Sequence, residues 1–353
     1  MAFGRVLNIY VGDTVSGVCV DGPTLVQPGT MLQLVGTVPG LAGETLHASC
    51  EVHRSNKMGH NIAEIKVMNL NQETRKWLES FHGVVRVDAG YEDDGFGTIF
   101  YGQVDLARST LTGGDWVTTI NAYHFRAHSM QFETLLTAVS YDPGTSLQTV
   151  LKGLADILGV PLLGIDVSWI NLEGGFADVG PMSKTLKRVG KILAGAHCGL
   201  YYDLAELRVF KKGTQSFDLD VLDWSLDTGL LTAKWLTHES KAWRKEVKSE
   251  QAHQKEQAAY NKSKSTDGRT RAAQRLTYAR YQDGEAKRLR CEATGLVNHL
   301  ARPNCPLYIT HPAISADGKM FFIVDEIVYR LTNYGDQFDM TVFASRDPVG
   351  GGA

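Results

Sequence analysis

Three carboxylates stand side by side in Tyr91-Glu92-Asp93-Asp94-Gly95, and carboxylates are the working groups of glycoside hydrolysis. That chemistry needs a pair facing each other across a sugar, roughly 5–10 Å apart. Neighbours on one turn do not span that gap, and acidic residues ahead of a glycine usually shape a β-turn. His124 and His128 in YHFRAH stand four apart, a spacing that on a helix would offer both imidazoles to one metal. Their surroundings read instead as a strand end and a loop, H-E-x-x-H is absent, and no third ligand accompanies them. His197-Cys198 sets a base next to a thiol. Adjacent residues seldom face each other, however, and both close an amphipathic stretch, so packing or capping is the better reading. G-x-S-x-G, the Walker A loop and G-x-G-x-x-G are missing; GVVRVDAG and TGGDW lack the spacing. The expected catalytic, cofactor-binding and metal-binding residues are therefore none, and the chain is expected not to be an enzyme.

The elements that would have to position such residues are mostly strands. RVLNIYVG (Arg5 to Gly12), GVCVDG (Gly17 to Gly22), MLQLVGTV (Met31 to Val38) and LHASCEVHR (Leu46 to Arg54) are short β-branched or alternating runs between Gly, Pro, Asp and Ser turns. AEIKVMNLNQETRKWLESF reads as a strand over Ala63 to Met68 running into a short helix. Asn69 with Gln72, or Asn71 with Thr74, offers its N-cap, and Leu70, Trp77, Leu78 and Phe81 form its apolar stripe. Many consecutive short strands must hide their edges, which predicts a closed or nearly closed small β-barrel with one helix.

The middle changes period. Leu147, Val150, Leu151, Leu154, Ile157 and Leu158 recur at helical spacing behind a Thr145 or Ser146 cap, with Gly159 placed to end the helix. Ser183 to Gly199 is a second helix, with Leu186, Val189, Ile192 and Leu193 on its apolar side. It runs into a predicted hairpin with Asp203 to Ala205 near the turn.

At 353 residues the chain has room for roughly two to three domains, enough to bury cores without metal or disulfide staples. The residues are 43% hydrophobic and 21% charged with a formal net charge of −3, too balanced to mark a nucleic-acid binder. Cys19, Cys50, Cys198, Cys291 and Cys305 are scattered with no C-x-x-C pair, which points to a reducing compartment. The N-terminus lacks a signal-peptide core, and no run reaches the roughly 18 apolar residues of a membrane span. His238 to Arg290 is charged and rich in Ala and Gln. Arg269, Arg271, Arg275, Arg280, Lys287, Arg288 and Arg290 could meet phosphates, but Glu246, Glu250, Glu256, Asp283 and Glu285 interrupt them and no aromatic platform accompanies them. A solvated excursion is the expected reading, with no specific nucleic acid and no membrane insertion.

One stretch repeats. FGTIFYGQVDLARSTLTGGDWVTTINAYHF (Phe96 to Phe125) and GKMFFIVDEIVYRLTNYGDQFDMTVFA (Gly318 to Ala344) share a layout, each preceded by a strand: Val84 to Tyr91 in one case, Pro306 to Ala313 in the other. Anchoring Gly97 on Gly318 and Gly114-Asp115 on Gly335-Asp336 sets Phe100-Tyr101 beside Phe321-Phe322. Two copies of a three-strand meander, one near each end, predict two related β-barrels flanking a different middle domain. The expected class is a β-rich α+β fold: a first barrel over 1–130, an α/β domain over 131–215, and a second barrel over 216–353 interrupted at about 238–290.

The order VMNLNQETRKWL, VRVDAGYEDDGFGTIFYGQV, GDWVTTINAYHF resembles the tail hub proteins of bacteriophages, with Asn69-Leu70, Gly90-Tyr91, Phe100, Gly102 and Val104 carrying the likeness. The closing region, Gly295 to Ser345, is similar to that family's last barrel; the charged insertion departs from it. The resemblance implies a structural virion protein of the tail or baseplate, assembled in the bacterial host cytoplasm. It would form a homotrimeric ring of quasi-sixfold symmetry between the tail tube, or a distal tail protein, and a central spike, with the tape measure protein a further neighbour. Two other readings accompany it. A virion-associated peptidoglycan-degrading enzyme would need a carboxylate pair or zinc site in the middle domain. The hub part of a type VI-like injection spike would share the barrels, and since the chain closes on DPVGGGA its spike is expected on another polypeptide.

Overall fold

The computed structural model describes residues 4–12, 31–36, 46–57, 61–80, 83–123, 136–214, 218–236, 289–315 and 318–346. The predicted strand over Gly17 to Gly22, His124, His128 and most of the charged segment lie outside them. No helix among the described residues is long and apolar enough to cross a membrane.

The first part of the chain supplies β1 (Arg5–Gly12), β2 (Leu32–Val35), β3 (Ala48–Ser55), β4 (Ile62–Met68), α1 (Gln72–Glu79), β5 (Val84–Tyr91), β6 (Gly95–Thr112) and β7 (Asp115–Tyr123). Alternation of Ala63, Ile65 and Val67 with Glu64 and Lys66 gives β4 one buried and one wet face. Asn71, of the two candidate caps, closes α1: its side chain accepts from Thr74 N–H at 2.8 Å. The last part supplies β13 (Leu222–Ser225), β14 (Leu230–Trp235), β15 (Leu289–Leu296), β16 (Pro306–Thr310), β17 (Lys319–Thr332) and β18 (Phe338–Arg346).

These two parts are built to one plan. In the first unit the spatial order is β1-β5-β6-β7-β4-β3, with β2 added outside β1; in the second it is β13-β16-β17-β18-β15-β14. Taken in chain order without β2, each unit therefore pairs its first strand with its fourth, then the fifth, sixth, third and second. Register agrees in detail. Val84 opposes Gln103 and Pro306 opposes Ile323; Val104 opposes Ala122 and Val324 opposes Ala344. One residue bulges next, Asp105 in β6 and Asp325 in β17, so each long strand pairs with the strand before it on one half and the strand after it on the other. The units differ where β1 runs antiparallel to β5 but β13 runs parallel to β16.

Two expectations are corrected here. The repeats are not separate sheets: β3 pairs antiparallel with the second half of β17, Ser55 with Glu326 through Ser49 with Thr332, and one hydrogen-bonded sheet and one apolar core run through both units. No ladder among the described strands closes either unit on itself. The alignment is also shifted by one residue. Four residues lie between the paired Leu111 and Trp116 but six between Leu331 and Phe338, so the glycine anchors split the difference and Phe100 corresponds to Met320.

Between the units lie β8 (Leu136–Tyr141), α2 (Leu147–Leu158), β9 (Leu162–Gly164), β10 (Phe176–Pro181), α3 (Met182–Gly195), β11 (Cys198–Asp203) and β12 (Glu206–Lys211). β8 pairs with β10, and β9 and β11 flank β12. Ser146 caps α2, and Gly159 ends it at φ +64°, a conformation costly for any side chain. Val150, Leu151, Leu154, Leu186, Val189 and Leu193 join Leu207 and Val209 in a second, separate core.

Candidate functional site

Glu92, Asp93 and Asp94 form the exposed turn between β5 and β6. What fixes that corner is Gly90, at φ +152°, where a Cβ would fall 2.4 Å from the Gly95 carbonyl oxygen. His197 sits at φ +56° just past α3, and its carbonyl accepts the Lys212 N–H at 2.8 Å. Cys198 opens β11, and its Sγ–H donates to the Ala196 carbonyl at 3.4 Å. Burial pushes the Cys198 thiol up against the weaker pull of Lys211 and Lys212, which opposes thiolate formation. Burial likewise raises Cys291 and Cys305 to about 12. Among the described residues no three His, Cys, Asp or Glu side chains gather as metal ligands.

The dense polar chemistry lies instead where three parts of the chain meet. Arg54, near the end of β3 and wholly buried, donates from Nε to Asp203 Oδ1 at 3.0 Å, from Nη2 to Asp203 Oδ2, and from Nη1 to the Ala301 carbonyl at 3.0 Å. The pair is bidentate, the geometry in which Arg outperforms Lys. Burial works most strongly against the Arg54 charge, but Asp203 together with the nearby Tyr329 and Tyr201 hydroxyls outweighs it and holds the guanidinium protonated. Asn61 accepts from Ser55 N–H at 2.7 Å and donates to the Tyr202 carbonyl at 3.1 Å. Tyr201 donates to the Pro303 carbonyl at 2.9 Å, and the Glu206 carboxylate takes both Arg208 and Arg302. Burial raises the Tyr329 hydroxyl, which faces the Ala301 carbonyl at 3.3 Å, to about 12.

Asp203 and Glu206 reach this junction because β11 and β12 are joined by Leu204-Ala205, both at positive φ (+47° and +63°). A two-residue turn of that hand normally takes Asn or Gly. The strain is held by burial of Leu204 and by the ion pairs on either side. The arrangement fixes the middle domain against both units. Sequence reasoning placed the hairpin turn at Asp203 to Ala205 but missed Arg54 and the ion pairs around the turn, because an Arg at a strand end carries no local signal.

A second feature is two unequal sheet edges. The half of β17 after its bulge is paired on both sides, and Ile327, Val328, Tyr329 and Leu331 are buried. Among the described strands the matching half of β6, Leu106 to Thr112, pairs only with β7; Leu106 and Leu111 are 46% and 61% exposed. There Glu79, at the end of α1, accepts the Ser109 backbone N–H at 3.0 Å. Among the described strands β14 likewise pairs only with β15, and it exposes Leu231.

No protein-family profile matches this sequence, and no curated protein does. Solved structures do match. The chain is similar to a tail protein from Neisseria meningitidis MC58, at 11% identity over 98% of both chains with a TM-score of 0.58. It is similar to the 43 kDa tail protein of prophage MuSo2 from Shewanella oneidensis, at 12% identity over 97% of this chain and 98% of that one, TM-score 0.57. A component of the E. coli type VI secretion system, described as similar in structure to the T4 bacteriophage tail proteins gp27 and gp5, matches at 9% identity over 89% of this chain and 76% of that one, TM-score 0.50. The chain shares its fold with these proteins.

Proposed function

We propose that this protein is a structural hub of a phage-type tail, joining the tail tube to the central spike. The observation that carries the reading is internal: two units of one strand order, linked edge to edge within one chain. Three copies arranged head to tail present six such units, so a ring with true threefold symmetry offers a quasi-sixfold face to a hexameric tube and a threefold face to a trimeric spike. In that setting each unit forms one segment of the ring wall. The partners are other copies of the chain, the tube or a distal tail protein, the spike, and the tape measure protein; the site is the virion tail or baseplate, with assembly in the host cytoplasm. No catalytic step belongs to this role.

The likeness to a type VI secretion component supports a second setting, the hub of a related injection machine, with the same ring. Electron microscopy of purified tail particles, with antibody against this chain, tests the main reading. A trimeric ring between tube and spike is expected; particles that lack the protein overturn it. Purified protein that clears peptidoglycan, and stops doing so on alanine substitution of Glu92, Asp93, His124 or His197, would replace it with the hydrolase reading.

A further inference from the structure

We infer that copies of this chain join by backbone pairing between β14 of one copy and the second half of β6 of the next, in the register that β3 and β17 already use inside the chain. The hub reading supplies only the copy number, three; the pairing itself rests on the strand register. Within the chain the second strand of the first unit, β3, docks on the fifth strand of the second unit, β17. The two remaining strands of the same kind are β14, second in its unit, and β6, fifth in its own. Among the described residues both have an outer edge without a strand partner.

Register carries the match residue by residue. Cys50 and Ala233 occupy one position of the plan, since each lies one strand out from Ile65 and Ala293, which oppose Ile120 and Val342. Glu51 therefore corresponds to Lys234, and Arg330, which Glu51 opposes, corresponds to Thr110. The predicted contact sets Lys234 against Thr110, Trp235 against Ser109 and Ala233 against Leu111. Exposure fits a missing strand: Leu331 is 1% exposed beneath β3, while Leu111 at the same place is 61% exposed. The Glu79 carboxylate on the Ser109 N–H is then a placeholder that keeps the lone chain from pairing at random, as charged groups on free edges do. The contact is heterologous, so it propagates from copy to copy, and with the three copies of the hub reading it closes as a ring.

Disulfide trapping in the full chain tests it. Residues directly opposed in an antiparallel pair have Cβ atoms about 4.5–5.5 Å apart, close enough for a disulfide after small adjustments. Thr110 and Lys234 are exposed, and the four described native cysteines are buried. The double variant Thr110→Cys, Lys234→Cys should give, under mild oxidation, a covalent species of three chains and none larger, while each single variant stays a single chain. Moving one partner out of register, Thr110→Cys with Thr232→Cys, should cut the yield at least tenfold. No cross-link in the double variant at any concentration, equal linkage in a single variant, or equal yield out of register overturns the pairing. Hydrogen exchange on the unmodified chain checks the same point without a substitution: peptides over 106–112 and 230–235 should exchange at least tenfold more slowly in the assembled protein, and unchanged exchange overturns it. The hub reading fails separately. Cross-linked rings from a protein absent from tail particles sink the hub and leave the pairing, and the converse result sinks the pairing alone.

Discussion

The first and second units share a strand plan and a bulge, yet they spend their edges differently. β3 is sealed by β17, and the half of β17 it covers has become core; β14 and the matching half of β6 face outward. One wall of the repeat is thus used inside the chain and once left open. The difference teaches that exposure here is set by what stands beside a strand, since equivalent backbone carries Leu331 in one unit and Leu111 in the other.

The largest effect is expected where the sealed edge meets the middle domain. Arg54→Ala leaves Asp203 buried without its cation and should cost about 3–5 kcal/mol in urea unfolding. The double change Arg54→Met, Asp203→Leu should recover much of it; a single variant as stable as the parent would show that the junction does not hold the parts together. The comparison itself is tested by truncating equivalent leucines. Leu331→Ala should cost about 2–5 kcal/mol, whereas Leu111→Ala in the dilute chain should stay within about 0.5 kcal/mol. Equal losses would mean that the open edge of β6 is covered in solution.

A third contrast lies inside the cores. Gly102 and Phe322 occupy equivalent places, opposite Val85 and Leu307. Phe322 fills its unit and lies 5.6 Å from Trp235, while a Cβ on Gly102 would fall 2.7 Å from both the Phe100 ring and the Tyr123 carbonyl oxygen. Gly102→Ala should therefore destabilise by about 1–3 kcal/mol through overpacking. A neutral result would show that Phe100 can swing away.

The smallest expected effect is a pH dependence at the β3–β17 seam. His53 Nε2 bonds Glu51 at 2.8 Å, and Glu326 stands 3.7 Å from Nδ1, too far for a good hydrogen bond but close enough to act as a charge. Glu326, against the opposing pull of partial burial and with help from Glu51, raises the His53 pKa above its ordinary value. A raised folded-state value stabilises the fold below the unfolded histidine's pKa, about 6.5, and that contribution is lost as pH rises through the folded value. His53→Gln should flatten the urea midpoint between about pH 5 and 8. An unchanged slope would remove His53 from the seam's energetics.

Much of the local structure was legible. β1 and β5 begin and end where alternation and turn residues place them, and Ser146 and Gly159 bracket α2 as their chemistry requires. The repeat was visible as well, but its register was not, because unequal turns at Gly114 and Gly335 shift the two strands of each hairpin in opposite senses. Seam and junction were hidden for another reason: both depend on contacts between distant residues, and a strand's sequence names its buried face without naming the neighbour on its edge. Arg54 looked like the polar end of a strand until Asp203 stood beside it.

The seam also sets a clock. Ser55 leaves the ribosome 271 residues before Glu326 (326 − 55), its partner in the first pair of the seam. At bacterial-scale synthesis of about 5–20 residues per second the edge of β3 waits roughly 15–55 s for its partner strand. During that interval the nascent first unit carries an unsealed β3 edge, and a neighbouring chain whose β17 has emerged but whose own β3 has not yet docked offers a strand of the right register. Neighbouring chains on one message therefore compete with the chain's own C-terminal part, and slowing translation downstream of β7 should raise the share of exchanged, intertwined copies.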